Sequence, residues 1–262
     1  MTLDELKFNG DARDIMAFQT QRGVADANDP YSQWNLCHYT GDDAERVLDA
    51  RFELCRQLGI DYRNLIMPRQ THSCRVTAFD EKLVSASSQV RKQMLDGVDA
   101  LVTTVPGVCI GVNTADCVPI ALADPINGVI AIAHAGWRGT VGRIAEDTVM
   151  VMKAVGANAS NILATMGVSI CHDCFEVGDE VVTQFEKAGF DLPLIMHRNT
   201  TTGKAHINLQ EANRQVLIAA GVPGPNITLP RHCSRCESDR YFSARRLGVK
   251  SGRTFTGIII NN

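Results

Sequence analysis

Residues 129–140 read VIAIAHAGWRGT, and this stretch decides the fold because an apolar strand runs directly into a glycine-bounded turn. The turn from Gly136 to Gly139 predicts the start of a helix. His134 stands at the end of the strand. Free backbone N–H groups at a helix start, together with the guanidinium of Arg138, are typical of an anion site. A core histidine followed by an ordinary turn is the alternative interpretation.

Short apolar runs on both sides of this segment predict further strands, at 75–79, 99–103, 108–113, 118–123, 162–166, 205–209 and 253–260. Helix-type spacing predicts about four amphipathic helices, at about 42–58, 140–155, 177–188 and 208–221. The strands over 99–133 have the spacing of hairpins, and no regular strand–helix alternation follows. These patterns predict an α+β fold of mixed sheets flanked by helices, in one compact domain over residues 1–262.

Arg51 lies on the apolar face of the first predicted helix. That face consists of Ala44, Val47, Leu48, Cys55 and Leu58, and Gly59 is a natural C-cap. An arginine that points into an apolar face must meet a carboxylate, backbone carbonyls or a bound anion, because an unpaired buried charge is very costly. Arg51 is therefore a candidate for substrate or phosphate binding, and a structural ion pair is the alternative.

The composition is that of an ordinary globular protein. The 262 residues carry a net charge of −3, with 45% hydrophobic and 21% charged residues and no long Lys/Arg run. Disorder is excluded as the main state, and nucleic acid or an anionic membrane is a poor fit, so small-molecule partners are favoured. No secretion leader or apolar stretch of membrane-spanning length is visible, and the nine cysteines form an odd set. We therefore expect a cytoplasmic, reducing location.

Two polar segments interrupt the apolar runs. Asp116 and Cys117 stand between two strands, and His72 lies in the segment 68–74. A thiol in such a place can be a nucleophile, a metal ligand or inert. Together with His134, the side chains of His72 and Cys117 would form an N,S,N ligand set from three separate loops. Three protein ligands leave one tetrahedral position open, as in catalytic zinc sites, although spacing alone supports this grouping weakly.

The most regular cysteine pattern is a different one. Cys171 and Cys174 form one C-x-x-C pair, and Cys233 and Cys236 form a second. Two such pairs can close a four-cysteine zinc site, but 58 residues separate them, whereas zinc ribbons place their pairs about 15–20 residues apart. A redox role lacks a thioredoxin-like context. The spacing therefore argues against a zinc ribbon and leaves the role of the pairs open.

Together these segments resemble the YfiH-like family of purine nucleoside phosphorylases and adenosine deaminases, formerly termed laccase-domain polyphenol oxidoreductases. The middle of the chain is most similar, in Asp99-Ala-Leu-Val-Thr, Thr114-Ala-Asp-Cys-Val-Pro and His134-Ala-Gly-Trp-Arg-Gly. Ser73 stands where the family usually has glycine, and Val168 stands where it usually has proline. These two differences bear on substrate preference more than on metal binding. The other matching motifs are Trp34-Asn35-Leu36, Asp49-Ala-Arg51, Gln70-Thr-His72, Gly167-Val-Ser-Ile170, Phe175-Glu-Val-Gly178 and Tyr241-Phe-Ser-Ala-Arg245-Arg246.

The resemblance implies that His72, Cys117 and His134 bind one zinc ion, and copper can occupy the same ligands. It also implies two reactions: hydrolytic deamination of adenosine, and phosphorolysis of adenosine, inosine, guanosine and methylthioadenosine. Cys117 and His134 would then be catalytic, and Asp116 is our candidate proton carrier. A nucleoside and phosphate would be the small-molecule partners. The residues expected to bind them are Asn35, Arg51, Arg138 and Arg245.

Three alternatives to a zinc enzyme remain. A multicopper laccase needs many imidazoles, typically paired as His-x-His, whereas this chain has seven histidines and no His-x-His, so only a single-copper phenol oxidase is compatible with it. A metal-free hydrolase or deamidase would use Cys117 as nucleophile and His134 as base. In the third alternative the metal is purely structural and the chain is a binding module.

Overall fold

The computed structural model describes residues 1–26 and 28–261. Its strands, in chain order, are β1 (Leu3–Leu6), β2 (Ile15–Thr20), β3 (Leu65–Ile66), β4 (Val76–Phe79), β5 (Ala100–Thr103), β6 (Cys109–Thr114), β7 (Val118–Asp124), β8 (Val129–Ala135), β9 (Leu163–Met166), β10 (Glu176–Val177), β11 (Met196–Arg198), β12 (Ala205–Ile207), β13 (Ile227–Thr228) and β14 (Thr254–Ile260). Its α-helices are α1 (Ala44–Leu58), α2 (Glu81–Ser85), α3 (Ser88–Met94), α4 (Trp137–Val141), α5 (Ile144–Ala154), α6 (Asp179–Lys187), α7 (Leu192–Ile195), α8 (Leu209–Ala219) and α9 (Ala244–Leu247). None of these helices is long and apolar enough to cross a membrane.

The strands form three sheets. A six-stranded sheet has the order β13-β9-β7-β8-β5-β4, a five-stranded sheet has the order β1-β2-β14-β6-β3, and a small sheet has the order β10-β12-β11. In the six-stranded sheet β4 pairs in parallel with β5 and β9 with β13, while the inner pairs are antiparallel. The prediction of an α+β fold with mixed sheets flanked by helices is therefore confirmed.

The antiparallel pair β7 and β8 lies at the centre of the molecule, and every residue of both strands is buried. On one face Ile120 packs in a cluster with Val149 of α5 and Val216 of α8. On the other face Ala121 packs in a cluster with Ile258 of β14. Successive side chains of a strand point to opposite faces. Because helices cover one face and the five-stranded sheet covers the other, β8 has a continuous apolar sequence.

The expected series of hairpins over 99–133 is correct only for β7 and β8. β5 does not pair with β6 but with β8, and β6 lies in the other sheet between β14 and β3. The partner of β6 is thus the strand 254–260, far away in sequence. Local spacing cannot reveal such a partner, because every strand in this region is apolar enough to be buried in either sheet.

The first predicted helix is α1, and its predicted C-cap at Gly59 is confirmed, while Asp43 caps the other end. The carboxylate of Asp43 accepts hydrogen bonds from the backbone N–H groups of Glu45 and Arg46, at 3.0 and 2.9 Å. Gly59 ends the helix with φ = 66°. The predicted apolar stripe is partly wrong, since Leu48 is 40% exposed and Ala44 is exposed too. The buried face consists of Val47, Ala50, Leu54 and Cys55.

The second predicted helix, 140–155, is interrupted. α4 begins earlier, at Trp137, and ends at Val141, and α5 begins only at Ile144 after Arg143, whose φ is 62°. A Cβ on Gly142 would lie 2.3 Å from Cys74 Sγ, so the chain bends where only glycine fits against the neighbouring loop. The third and fourth predicted helices correspond to α6 and α8, and the Asn208 side chain caps α8 by accepting from Glu211 N at 3.0 Å.

Candidate metal centre

Three of the predicted site residues lie together at one end of the central strands. His72 follows β3, Cys117 lies in the connection from β6 to β7, and His134 is the penultimate residue of β8. One ligand atom from each lies within 4.8 Å of the others. Cys117 Sγ lies 3.9 Å from His72 Nε2, and the two imidazole rings meet edge to face with their centres 4.8 Å apart. His134 is buried and His72 is exposed, so the group is open to solvent on one side.

Strand register brings Cys117 to His134. In the β7–β8 pair, Pro119 lies opposite His134 and Val118 lies opposite Ala135. Cys117, the next residue outward, therefore reaches the end of β8 beside the imidazole. His72 and Asp116 adopt positive φ angles of 61° and 86°. Such angles cost about 1–3 kcal/mol each in residues other than glycine, and they are concentrated at functional sites.

A buried carboxylate, Asp99, holds two of the three candidate ligands in place. It accepts hydrogen bonds from the backbone N–H groups of Thr71, His72 and Ser73, at 3.1, 3.1 and 2.8 Å. It also contacts His134 Nδ1 at 2.7 Å. Because a carboxylate accepts hydrogen bonds, Nδ1 carries the proton and Nε2 is left free to bind a metal. In the sequence Asp99 belongs to a motif of the family, but no local pattern around it indicates this role.

The charges of Asp99, Cys117 and His134 shift one another's pKa values. Burial alone would raise the pKa of Asp99, but the hydrogen bond and charge of His134 lower it to about 2, with Ser73 contributing. Burial would likewise raise the pKa of Cys117, but the neighbouring imidazoles of His134 and His72 lower it to about 6. In return the Cys117 thiolate and Asp99 raise the pKa of His134 to about 9, against the effect of burial. The negative charge of the Cys117 thiolate and the positive charge of His134 thus favour each other.

The donor set fits a zinc or copper ion. Two imidazole nitrogens and one thiolate are ligands that both metals accept, and three protein ligands leave a position for water or substrate. Gly136, at the start of α4, keeps space for such an ion, because a Cβ there would lie 2.9 Å from Cys117 Sγ and 3.1 Å from His72 Cδ2. A glycine is thus required at this close approach, although its φ of −69° suits any residue.

Replacing Gly136 by alanine is expected to weaken metal binding by about 10- to 100-fold, because the new methyl group displaces Cys117 and His72 without straining the backbone. Titration of the metal-free protein with zinc measures this change. Gly224→Ala is the matched control, since its Cβ would meet nothing closer than Ile218 Cδ1 at 3.7 Å. Equal zinc affinity in both variants would contradict the placement of the metal.

The Asp116 carboxylate, our candidate proton carrier, is bound to the C-terminal part of the chain. It accepts hydrogen bonds from the hydroxyls of Ser234 and Ser243, at 2.7 and 2.6 Å, and from Arg245 N at 2.7 Å. These three contacts hold Asp116 in its positive-φ conformation and thereby set the position of Cys117. The two serines were not found from the sequence. A proton-carrying role for Asp116 stays a prediction.

The two candidate phosphate ligands near this centre are exposed arginines. The Arg138 guanidinium lies over the Trp137 ring, 4.3 Å from its centre. Arg245 donates from Nη1 to the backbone carbonyl of Glu176 at 3.1 Å, and its guanidinium lies 5.5 Å from the centre of the Phe175 ring. Only the backbone of Arg245 contacts Asp116, so its guanidinium is directed along β10.

Asn35 and Arg51 belong to a different group. The Asn35 amide is buried and donates to Cys37 O and to Asp42 Oδ2, while its oxygen accepts from Cys37 N and Arg253 N. Arg51 Nε donates to the Leu36 carbonyl at 2.9 Å, so a backbone oxygen is one partner of this inward-pointing guanidinium. Arg51 also borders a cavity of about 260 Å³ whose other basic residues are Arg69, Arg91 and Lys92. Substrate binding by Asn35 and Arg51 stays a prediction.

Comparison with known proteins identifies the family to which the chain belongs. A family model described as multi-copper polyphenol oxidoreductase laccase matches residues 15–261. The chain belongs to this family, the YfiH family. Its membership agrees with the resemblance drawn from the sequence motifs, and it makes the chain an enzyme of this family.

Two relatives cover almost the whole of the YfiH-family chain. A protein named adenosine deaminase RL5, from an unknown prokaryotic organism, is 58% identical over 256 residues, 98% of each chain. A purine nucleoside phosphorylase of Bacteroides thetaiotaomicron is 45% identical over 242 residues, 92% of this chain and 89% of that protein. The crystal structure of YlmD from Geobacillus stearothermophilus superposes with a TM-score of 0.87 at 30% identity, over 96% of this chain and 93% of YlmD.

Proposed function

We propose that this protein is a zinc-dependent purine nucleoside enzyme. It would deaminate adenosine hydrolytically and cleave adenosine, inosine, guanosine and methylthioadenosine with phosphate. The observation that carries the proposal is the solvent-open group of His72, Cys117 and His134, which has the ligand number of a catalytic metal site. The names of two relatives, an adenosine deaminase and a purine nucleoside phosphorylase, support the substrate class. The net charge of −3 and the lack of a Lys/Arg run support small molecules over nucleic acid.

His72, Cys117 and His134 would hold the zinc ion, which when bound lowers the pKa of a water molecule toward about 7 and so supplies the nucleophile for C6 of adenine. The Cys117 thiolate contributes negative charge, and Asp99 keeps His134 in the tautomer with a free Nε2. Asp116 is the carboxylate next along the chain, and we assign it the transfer of a proton to the leaving amine.

Phosphorolysis needs a phosphate dianion beside the ribose and cationic groups near it. We assign this task to Arg138 and Arg245, which are both exposed. Arg138 lies two residues after Gly136, and the backbone N–H of Arg245 contacts the Asp116 carboxylate. Hydrogen bonds from a fork-shaped guanidinium match the geometry of phosphate. Asn35 and Arg51, on the loop and helix that border the basic cavity, are proposed to contact the nucleoside.

An assay with and without phosphate distinguishes deamination from phosphorolysis. With adenosine in phosphate-free buffer, zinc-loaded protein is expected to form inosine and ammonia, because only water is available as nucleophile. Added phosphate is expected to yield adenine and ribose 1-phosphate as well. Chromatography of the products measures both. If neither product pair forms, while phenol oxidation proceeds with one copper per chain, the purine proposal is wrong.

Arg138→Ala is expected to slow phosphorolysis by about 10- to 100-fold and deamination much less, because hydrogen bonds to charged groups contribute about 1.5–3 kcal/mol and only phosphorolysis uses the dianion. Initial rates of both reactions in one preparation provide the comparison. Arg13→Ala, another exposed arginine, paired with Asp11, is the control. An equal loss of both reactions would assign Arg138 to the nucleoside or to the fold.

A metal-free Cys-His hydrolase is a second candidate, favoured by the closeness of Cys117 Sγ to the ring nitrogens of His134 and His72, all within 4.8 Å of one another. In that reaction Cys117 would attack a carbonyl and His134 would protonate the leaving group. Activity that survives complete removal of metal and is abolished by iodoacetamide would support it. Activity that is lost with the metal and restored by zinc would exclude it.

A further inference from the structure

The two C-x-x-C pairs lie together, although 58 residues separate them in the chain. One sulfur atom each from Cys171, Cys174, Cys233 and Cys236 lies within 4.8 Å of all the others. Cys174 Sγ and Cys236 Sγ are 3.4 Å apart. The group is partly open to solvent, since Cys236 is exposed and Cys233 is buried. It shares no residue with the candidate active site.

Parallel strand pairing explains how pairs 58 residues apart can meet. β9 and β13 run side by side in the same direction, with Ala164 opposite Ile227 and Thr165 opposite Thr228. The two chains continue together to a further parallel bridge between Ser169 and Cys233. A C-x-x-C pair follows β9 and another follows β13, so both pairs reach the same end of the sheet. The ribbon spacing rule does not apply, because it describes pairs joined by one short hairpin.

We propose that Cys171, Cys174, Cys233 and Cys236 bind a second zinc ion in a closed, structural four-thiolate site. Zinc–sulfur bonds of about 2.3 Å at tetrahedral angles place sulfur atoms about 3.8 Å apart, which the observed group needs only a small adjustment to reach. Four protein ligands leave no position for substrate or water. The site is therefore distinct in kind from the open three-ligand centre.

The surroundings of the four sulfurs suit the charge of such a site. Four thiolates and one zinc ion carry a net charge of −2. The guanidinium of Arg235 lies in the second C-x-x-C pair and donates from Nη1 to Cys174 Sγ at 3.5 Å. The backbone N–H of Cys171 donates to Cys233 Sγ at 3.3 Å. Donors directed at coordinated sulfur are a regular feature of zinc–thiolate sites and help to fix the ligands.

The same segment carries a contact to the candidate active site. Ser234 lies between Cys233 and Cys236, and its hydroxyl donates to the Asp116 carboxylate at 2.7 Å. A zinc ion that fixes Cys233 and Cys236 therefore also fixes Ser234 against the residue that precedes Cys117. The second zinc would thus hold the loop of Asp116 and Cys117 in position without contacting the substrate.

The decisive measurement is the metal content of the purified protein. Elemental mass spectrometry gives the zinc concentration, and amino-acid analysis gives the protein concentration. We expect about two zinc ions per chain in the unchanged protein, about one in Cys236→Ser and about one in Cys117→Ser. Cys74→Ser, which replaces a partly exposed thiol outside both groups, is the matched control and should keep two. Because Cys236 is exposed, its replacement leaves the core intact.

Cobalt substitution identifies the ligands without using activity. Cobalt-loaded Cys117→Ser protein should show the strong visible bands of a tetrahedral four-thiolate site, and these should disappear in the Cys117→Ser, Cys236→Ser double variant. A chain that binds zinc only at the three-ligand centre would overturn the proposal, as would iron in place of zinc. A disulfide between Cys174 and Cys236, found by peptide mapping without reductant, would overturn it too. Zinc retained by Cys117→Ser supports this site even if the purine activity is absent.

Discussion

Replacement of Cys117 by serine is expected to remove the metal from the three-ligand centre and to lower both purine reactions by about 1,000-fold or more, or about 4 kcal/mol in the barrier. A hydroxyl is a much weaker zinc ligand than a thiolate, and the two remaining imidazoles cannot hold the ion in an open site. The fold should be retained, because Cys117 lies in a connection and serine is nearly the same size. Zinc content, circular dichroism and both assays are measured on one preparation.

The result is interpreted against two comparisons. Cys74→Ser removes a thiol near the same loop and should leave metal and activity unchanged. Zinc at the four cysteines should persist in Cys117→Ser, so that total zinc falls by one ion rather than to zero. Full activity in the Cys117 variant would remove both the metal centre and the Cys-His alternative from consideration, because both require this thiol.

Asp99→Asn is expected to give the largest loss of stability, about 3–5 kcal/mol, together with a 10- to 100-fold loss of metal affinity. The buried carboxylate accepts from three backbone N–H groups and from His134, and an amide presents its NH2 group to some of these donors. Donors left without an acceptor inside the protein are costly. His134 also loses the partner that fixes its tautomer. Urea unfolding and zinc titration measure the two effects.

Ser73→Ala is the mild counterpart of Asp99→Asn. It removes one hydroxyl donor at 2.7 Å from Asp99 and leaves the carboxylate and the backbone donors in place. We expect a loss of stability of about 1 kcal/mol and little change in metal affinity. If Asp99→Asn were as mild as Ser73→Ala, the carboxylate would not be what holds the His72 loop and His134.

The sequence predicted well those features that depend on residues adjacent in the chain. The end of α1 at Gly59 and the start of α8 at Asn208 were predicted, because a cap is formed by residues adjacent in the chain. The apolar run of β8 predicted a strand with His134 near its end. The α+β class followed from the order of such segments. The grouping of His72, Cys117 and His134 depended on the family resemblance, and spacing contributed little.

Features that depend on distant partners were missed. The role of Asp99 was invisible because its donors lie about 26–35 residues away. The meeting of the two cysteine pairs required knowledge that β9 and β13 are parallel neighbours. Short edge strands such as β1 and β13 carry too few residues for a period to be recognised. The break between α4 and α5, where Arg143 has a φ of 62°, is not indicated by the helix propensities of its residues.

The position of β14 has a consequence for how the chain is made. β14 lies inside the five-stranded sheet, with β2 on one side and β6 on the other, and joins residues such as Ala17 and Ile258. During synthesis the edges of β2 and β6 stay unpaired until residues 254–260 leave the ribosome. Closing a loop of this length is slow, and open apolar edges invite pairing between chains. We therefore expect the nascent protein to be prone to aggregation until β14 has been made, the kind of intermediate that chaperones protect.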